Sequence, residues 1–288
     1  MRLGTMTSLF RDRRECAEHF GYIESIQRCR KAGFTVLDMN LCALNRRQTT
    51  LHLDNWQEQV DEIRNEAERL GCVFSQSHPP YRRGREGTFA TAEEEAFFRA
   101  MSLRALEITA MLGAKWAVIH PVMDVTADIN DVDAHVRYNQ QMFAREAELA
   151  AKLGVGLAFE NMFDGDQRRF GSTAEDLIAI QDSFHSDLIG VCWDVGHANF
   201  GKHPQYESMT LLGKRIRVLH LHDNYGTRDD HSMPYFGTID WDEIMRALRD
   251  IGYEGTFNYE VAATHLPMAL REDHARYLVD AAKMLLGR

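Results

Sequence analysis

Short β-rich apolar runs alternate with longer helical patterns along the whole chain, and the alternation repeats eight times. Strands are expected at Leu3–Leu9, Phe34–Leu41, Cys72–His78, Trp116–His120, Val155–Glu160, Ile189–Val195, Ile216–His222 and Gly255–Glu260. The segments between them carry helix signals. GYIESIQRCRKAG has apolar residues at helical spacing and stops at Gly33. Asp54 is expected to cap DNWQEQVDEIRNEAERLG, Thr91 opens the capping box T-A-E-E, and Ser172 opens a second box, S-T-A-E. Helices are also expected over Asp131–Leu153, in a shorter piece near Glu207–Gly213, from Asp240 through WDEIMRALRDIG, and over Pro267–Leu286. Repeated strand–helix units build a parallel sheet with helices outside it. Eight of them in 288 residues predict an α/β fold, a single (β/α)8 TIM barrel spanning residues 1–288 as one domain. A doubly wound open sheet is the alternative. No glycine-rich phosphate loop follows the first strand, which argues against that sheet and against a nucleotide cofactor.

Composition narrows the class. With 44% hydrophobic and 26% charged residues, the chain is neither disordered nor collagen-like. Its net charge of −10 argues against a nucleic-acid partner, whose binding rests on neutralising phosphates. No run of about 18 apolar residues suggests a membrane span, and the opening residues lack the apolar stretch of a secretory signal. The five cysteines (Cys16, Cys29, Cys42, Cys72 and Cys192) are scattered and odd in number, as expected for reduced, mostly buried thiols in a cytoplasmic protein.

Barrel active sites assemble where strands end, and these strand ends are rich in chemistry. The third ends in His78, the fourth in His120 and the fifth in Glu160. The sixth ends in Asp194 with His197 three residues on, and the eighth in Glu260. The seventh carries His220 and His222, and its loop holds Asp229 and His231. Carboxylates gathered at one axis repel unless a cation compensates them. A His/Asp/Glu set without cysteine suits Zn²⁺, Mn²⁺ or Co²⁺. Of His220 and His222, one is expected inside the barrel and the other away or upward. His19, His52, His135, His185, His203, His265 and His274 read as surface or structural. Arginines cluster in loops on the same rim, at Arg46–Arg47, Arg82–Arg83–Arg85 and Arg168–Arg169. Arg82 and Arg168 are candidate contacts for a phosphate or carboxylate on the substrate; solvated loop charge is the other reading.

The segments LAFEN, WDVGH, LHLHDN with the following DDH, and NYE resemble the xylose-isomerase-like TIM-barrel superfamily, and the resemblance runs over essentially the full length. That superfamily includes ketose 3-epimerases, inosose dehydratases and endonuclease IV-type apurinic endonucleases. The resemblance to the epimerases implies one divalent metal on Glu160, Asp194, His220 and Glu260, with His220 selected by the His-x-x-Asp pattern ending at Asp223. The resemblance to the endonucleases implies up to three zinc ions, with His78, His120, His197, Asp229 and His231 as added ligands.

Three kinds of function fit these residues. The favoured one is a divalent-metal-dependent isomerase or epimerase of a monosaccharide or sugar derivative. It would work by α-proton abstraction through a metal-stabilised enediolate, with Glu160 and Glu260 as acid and base and His197 on a substrate oxygen. A sugar or inosose dehydratase begins with the same step. The alternative is a trinuclear zinc phosphodiesterase acting on abasic DNA, favoured by the full ligand set and opposed by the acidic charge and short loops. A non-enzymatic metal-binding barrel has nothing further to distinguish it. A homo-oligomer is compatible with each.

Overall fold

The computed structural model describes residues 1–10, 21–82, 88–263 and 266–287. Cys16, His19, Arg83, Arg85 and His265 lie outside the described residues. The strands are β1 (Arg2–Met6), β2 (Val36–Asn40), β3 (Val73–His78), β4 (Trp116–Ile119), β5 (Gly156–Glu160), β6 (Ile189–Asp194), β7 (Ile216–His220) and β8 (Thr256–Tyr259). They form one sheet in the order β7-β6-β5-β4-β3-β2-β1-β8, and the paired strands run parallel. A parallel bridge between Leu221 and Tyr259 joins the two ends, with Leu221 N donating to Asn258 O at 3.0 Å and Glu260 N to Leu221 O at 3.1 Å. The ring thus closes as a (β/α)8 TIM barrel.

The helices are α1 (Tyr22–Ala32), α2 (Trp56–Arg69), α3 (Ala92–Met111), α4 (Val132–Leu153), α5 (Ala174–Ser183), α6 (Val195–Phe200), α7 (Gln205–Leu212), α8 (Trp241–Asp250) and α9 (Met268–Leu285). Among the described residues no helix is long and apolar enough to cross a membrane.

Strand side chains alternate between the two faces. Leu157, Phe159, Val191, Trp193 and Leu219 belong to the large core shared with the helices. The alternate residues Val118, Ala158, Cys192 and Val218 form a small separate plug, with Trp116 packed on it. Two residues further along the same strands stand His120, Glu160, Asp194 and His220. The period of two therefore lifts these polar groups directly above an apolar floor.

Several local expectations shift. β1 ends at Met6 rather than Leu9, and Thr7–Phe10 form a 3-10 turn. The carbonyl of Thr7 accepts from Ser25 Oγ of α1 and its hydroxyl from Asn40 N at 3.0 Å, so these groups cap neighbours instead of extending a ladder. Asp54 does not cap α2; Asn55 holds the cap position without a side-chain bond. The cap of α5 is Thr173, not Ser172, its hydroxyl accepting from Asp176 N at 3.2 Å. Thr91 and Asp240 cap as expected. α6 was not expected, since six residues are too few to show a helical period. Asp194 starts it by accepting from His197 N at 2.7 Å.

Candidate active site

Glu160 occupies the centre of the rim. Its Oε1 lies 2.8 Å from His220 Nδ1, and its Oε2 lies 2.9 Å from His120 Nε2 and 3.5 Å from His78 Nε2. Glu260, just beyond β8, brings Oε2 to 2.6 Å from His220 Nδ1. One donor atom from each of Glu160, Asp194, His220 and Glu260 falls within 4.8 Å of the others, close enough to share an ion.

A second group adjoins it. Asp229 Oδ2 is 3.0 Å from His231 Nε2 and 3.5 Å from His197 Nε2. His222 Nε2 is 3.1 Å from Asp194 and 3.6 Å from Asp229 Oδ1. His222 thus joins the site rather than turning away from it. Residues two apart share a strand face, and the chain beyond His220 keeps that direction, so both imidazoles of the pair reach the cluster.

Backbone carbonyls orient three of these rings. His78 Nδ1 donates to Pro79 O at 3.0 Å, His197 Nδ1 to Asn161 O at 2.8 Å and His231 Nδ1 to Glu260 O at 2.8 Å. A carbonyl only accepts, so each Nδ1 carries the proton and each Nε2 faces the cluster, as in metal-ligating histidines.

The electrostatics follow from crowding. Burial alone would raise the Glu160 carboxyl, but His220 and His120 hold it well below its usual range. Glu260, opposed in the same way by burial, is held at about 2 by His220. Asp229 is held far below the carboxylate range despite burial, by His197 and His231. Burial pulls His231 down, yet Asp229 lifts it to about 10. His120 is depressed by burial, with Glu160 opposing. In the metal-free protein, protons on imidazoles thus balance the buried carboxylates. The donor set fits a divalent cation: it is all nitrogen and oxygen, and the buried Asp229 Oδ1 has no hydrogen-bond partner among the described residues.

The cluster forms the floor of a cavity of about 580 Å³, whose walls include Asn40, Cys42, Arg46, Tyr81, Phe163 and Arg169. Arg82 also lines it, its guanidinium packed against the rings of Phe89 and Phe98. Arg168 is not among the lining residues; it pairs with Asp176 Oδ1 at 2.7 Å and donates to Ile129 O at 3.1 Å. Arg46 reaches the wall, donating to Tyr81 Oη at 3.2 Å, and Tyr81 stacks on His120 with ring centroids 4.6 Å apart. Cys42 is half-buried, with Sγ 3.3 Å from His78 Nδ1, while Cys29, Cys72 and Cys192 are buried.

The model of the family described as xylose isomerase-like TIM barrel matches residues 26–285. The chain belongs to this family. Among curated relatives, a D-psicose 3-epimerase of Enterocloster bolteae is 25% identical over 231 residues, covering 77% of this chain and 71% of that one. An uncharacterised protein of Sinorhizobium fredii is 28% identical over 173 residues, 54% of this chain and 50% of that protein. The chain therefore spans about half the length of this second relative. Among solved structures, a D-psicose 3-epimerase in the presence of D-fructose superposes with a TM-score of 0.76 at 18% identity over 100% of both chains. An L-ribulose 3-epimerase gives 0.77 at 17% identity, over 99% of this chain and 94% of that one. At these identities the structural likeness establishes the shared fold.

Sequence reasoning passed over Asp38 and left His222 out of the ligand set. Asp38 is fully buried inside the barrel. Its signal was present: a lone acid in the middle of the apolar run FTVLDMNL must meet donors inside the barrel or the run would not bury.

Proposed function

We propose that this protein is a divalent-metal-dependent isomerase or epimerase of a monosaccharide or sugar derivative. One observation carries the reading: Glu160 of β5 and Glu260, just beyond β8, converge on the same nitrogen of His220 at 2.8 and 2.6 Å on the floor of a cavity of about 580 Å³, large enough for a monosaccharide. The sugar 3-epimerases among its relatives and fold neighbours support the same class.

The cation would be held by Glu160, Asp194, His220 and Glu260. A divalent ion such as Zn²⁺ or Mn²⁺ supplies Lewis-acid stabilisation of the negative charge that develops on substrate oxygens when an α proton leaves. Glu160 and Glu260 are both ionised at neutral pH, the form a proton acceptor requires. One takes the proton from the substrate carbon. The other, once protonated, returns a proton from the opposite side. His197, whose Nε2 turns inward, would bind a substrate oxygen. The apolar plug beneath keeps bulk water from the floor. Arg82, Arg46 and Arg169 in the walls would receive an anionic group. Arg168 would contribute only by leaving its pair with Asp176. Buried reduced thiols accord with a cytoplasmic setting.

The test is solvent deuterium uptake at the substrate carbon across a panel of ketoses and keto-inositols. Glu160→Gln and Glu260→Gln should each abolish uptake with the fold intact. Undiminished uptake in both variants would end the two-carboxylate scheme.

A second reading is phosphodiester hydrolysis by a multi-ion centre. It is favoured by the approach of His78 and His120 to Glu160 and by the Asp229 group beside Asp194. Metal analysis separates the two. One ion per chain supports sugar chemistry; three ions, with cleavage of an abasic oligonucleotide, support the hydrolase.

A further inference from the structure

Within the cluster, His220 is turned the opposite way from His78, His197 and His231. Its Nδ1 faces Glu160 and Glu260, and its Nε2 points down the barrel to Asp38 Oδ2 at 3.4 Å. Asp38 sits on β2, one layer below the rim, with no exposed surface. The same Oδ2 accepts from Gln76 Nε2 of β3 at 2.9 Å and from Asn258 Nδ2 of β8 at 3.0 Å. Three strands, β3, β7 and β8, thus direct side chains at one carboxylate oxygen of a fourth, β2.

The chemistry of these partners is asymmetric. Amide NH₂ groups only donate and a carboxylate oxygen only accepts, so the approach of His220 Nε2 to Oδ2, an ion-pair distance of 3.4 Å with no hydrogen bond closed, favours the proton on Nε2. With the proton on Nε2, the lone pair of Nδ1 points at the site of the cation. Packing does not demand a buried acid here. The neighbouring inward positions Val118, Ala158, Cys192 and Val218 fill the same barrel with apolar groups, and an acid taken wholly out of water is costly unless it has a task. The amides of Gln76 and Asn258 leave their own oxygens Oε1 and Oδ1 without hydrogen-bond partners among the described residues, so both are committed to Asp38.

We propose that Asp38 is a positioning residue, which fixes the ring orientation and proton placement of His220 so that Nδ1 is presented to the cation. Gln76 and Asn258 hold the carboxylate in place for it. This rests on the reading of His220 as a metal ligand and adds a carboxylate behind it. Replacing Asp38 by Asn keeps the shape but offers His220 an NH₂ donor, which favours the opposite proton placement and aims an N–H at the cation.

The experiment is titration of the chelator-stripped protein with Mn²⁺. Asp38→Asn should weaken the Kd about 10- to 100-fold, the usual effect of losing a partner behind a metal-ligating histidine. An unchanged Kd in Asp38→Asn overturns the proposal, whatever the loss in Tm. Should that variant fail to fold, ¹⁵N NMR of the zinc-loaded unsubstituted protein decides. Protonated Nε2 with zinc on Nδ1 of His220 supports the proposal, and zinc on Nε2 overturns it. If the unsubstituted protein takes up no metal, the reading of His220 as a ligand fails instead.

Discussion

Gly196 makes room for His222. A Cβ on Gly196 would overlap the imidazole of His222, with Cε1 the nearest atom. The ring packs against the first turn of α6, and Asn224 Nδ2 donates to Gly196 O at 2.8 Å to hold that turn against the loop after β7. The glycine of WDVGH therefore serves a histidine 26 positions further along the chain.

Gly196→Ala should consequently push His222 away from Asp194. Overpacking of this kind costs about 1–3 kcal/mol. Urea unfolding measures it, and an unshifted midpoint would show that the ring has room to move.

Asp194 both starts α6 and contributes to the cluster that would hold a cation. Asp194→Asn retains an oxygen able to accept from His197 N but removes the charge. The variant should fold and lose most of its bound metal by elemental analysis. Full occupancy would remove Asp194 from the ligand set.

Without metal, the site makes stability depend on pH in both directions. His231, lifted to about 10 from an ordinary 6.5, contributes stability that is complete below pH 6.5 and is lost as pH rises toward 10. Glu260, lowered to about 2 from an ordinary 4.5, contributes stability present above pH 4.5 and lost as pH falls toward 2. The Tm of the metal-free protein should therefore peak between these limits. A Tm that climbs steadily from pH 7 to pH 10 would contradict the arrangement around Asp229.

Cation binding must displace the imidazole protons, because a ligating nitrogen needs its lone pair. His220 is the imidazole of the proposed ligand set: burial pulls it down, but Cys192, Glu260 and Glu160 raise it well above its ordinary range, and its Nδ1 lies between the carboxylates of Glu160 and Glu260. Calorimetric heats of metal uptake at pH 7 should vary with the ionisation enthalpy of the buffer, and affinity should rise with pH. Heats independent of the buffer would mean that this ring is already neutral.

Local signals carried much of the structure. Thr91 and Asp240 announce helices because a cap needs only the next three residues. The cap of α5 was misread by one residue because Ser172 and Thr173 carry the same hydroxyl, and only the backbone path decides which is extended. α6 escaped notice because a helix this short repeats no period.

The strand–helix alternation determined the barrel, and the acids and imidazoles at strand ends determined that such groups gather at the rim, since ring closure brings these ends to one axis; the set Glu160, Asp194, His220 and Glu260 was implied by the family resemblance. Only the tertiary structure decided that Asp38 lies beneath His220, that His222 shares Asp194, and that Arg169 rather than Arg168 lines the cavity. The physical reason is range. Periodicity and capping act over a few residues, whereas the direction of a ring or guanidinium is set by partners from other strands, which adjoin it only after the barrel has closed.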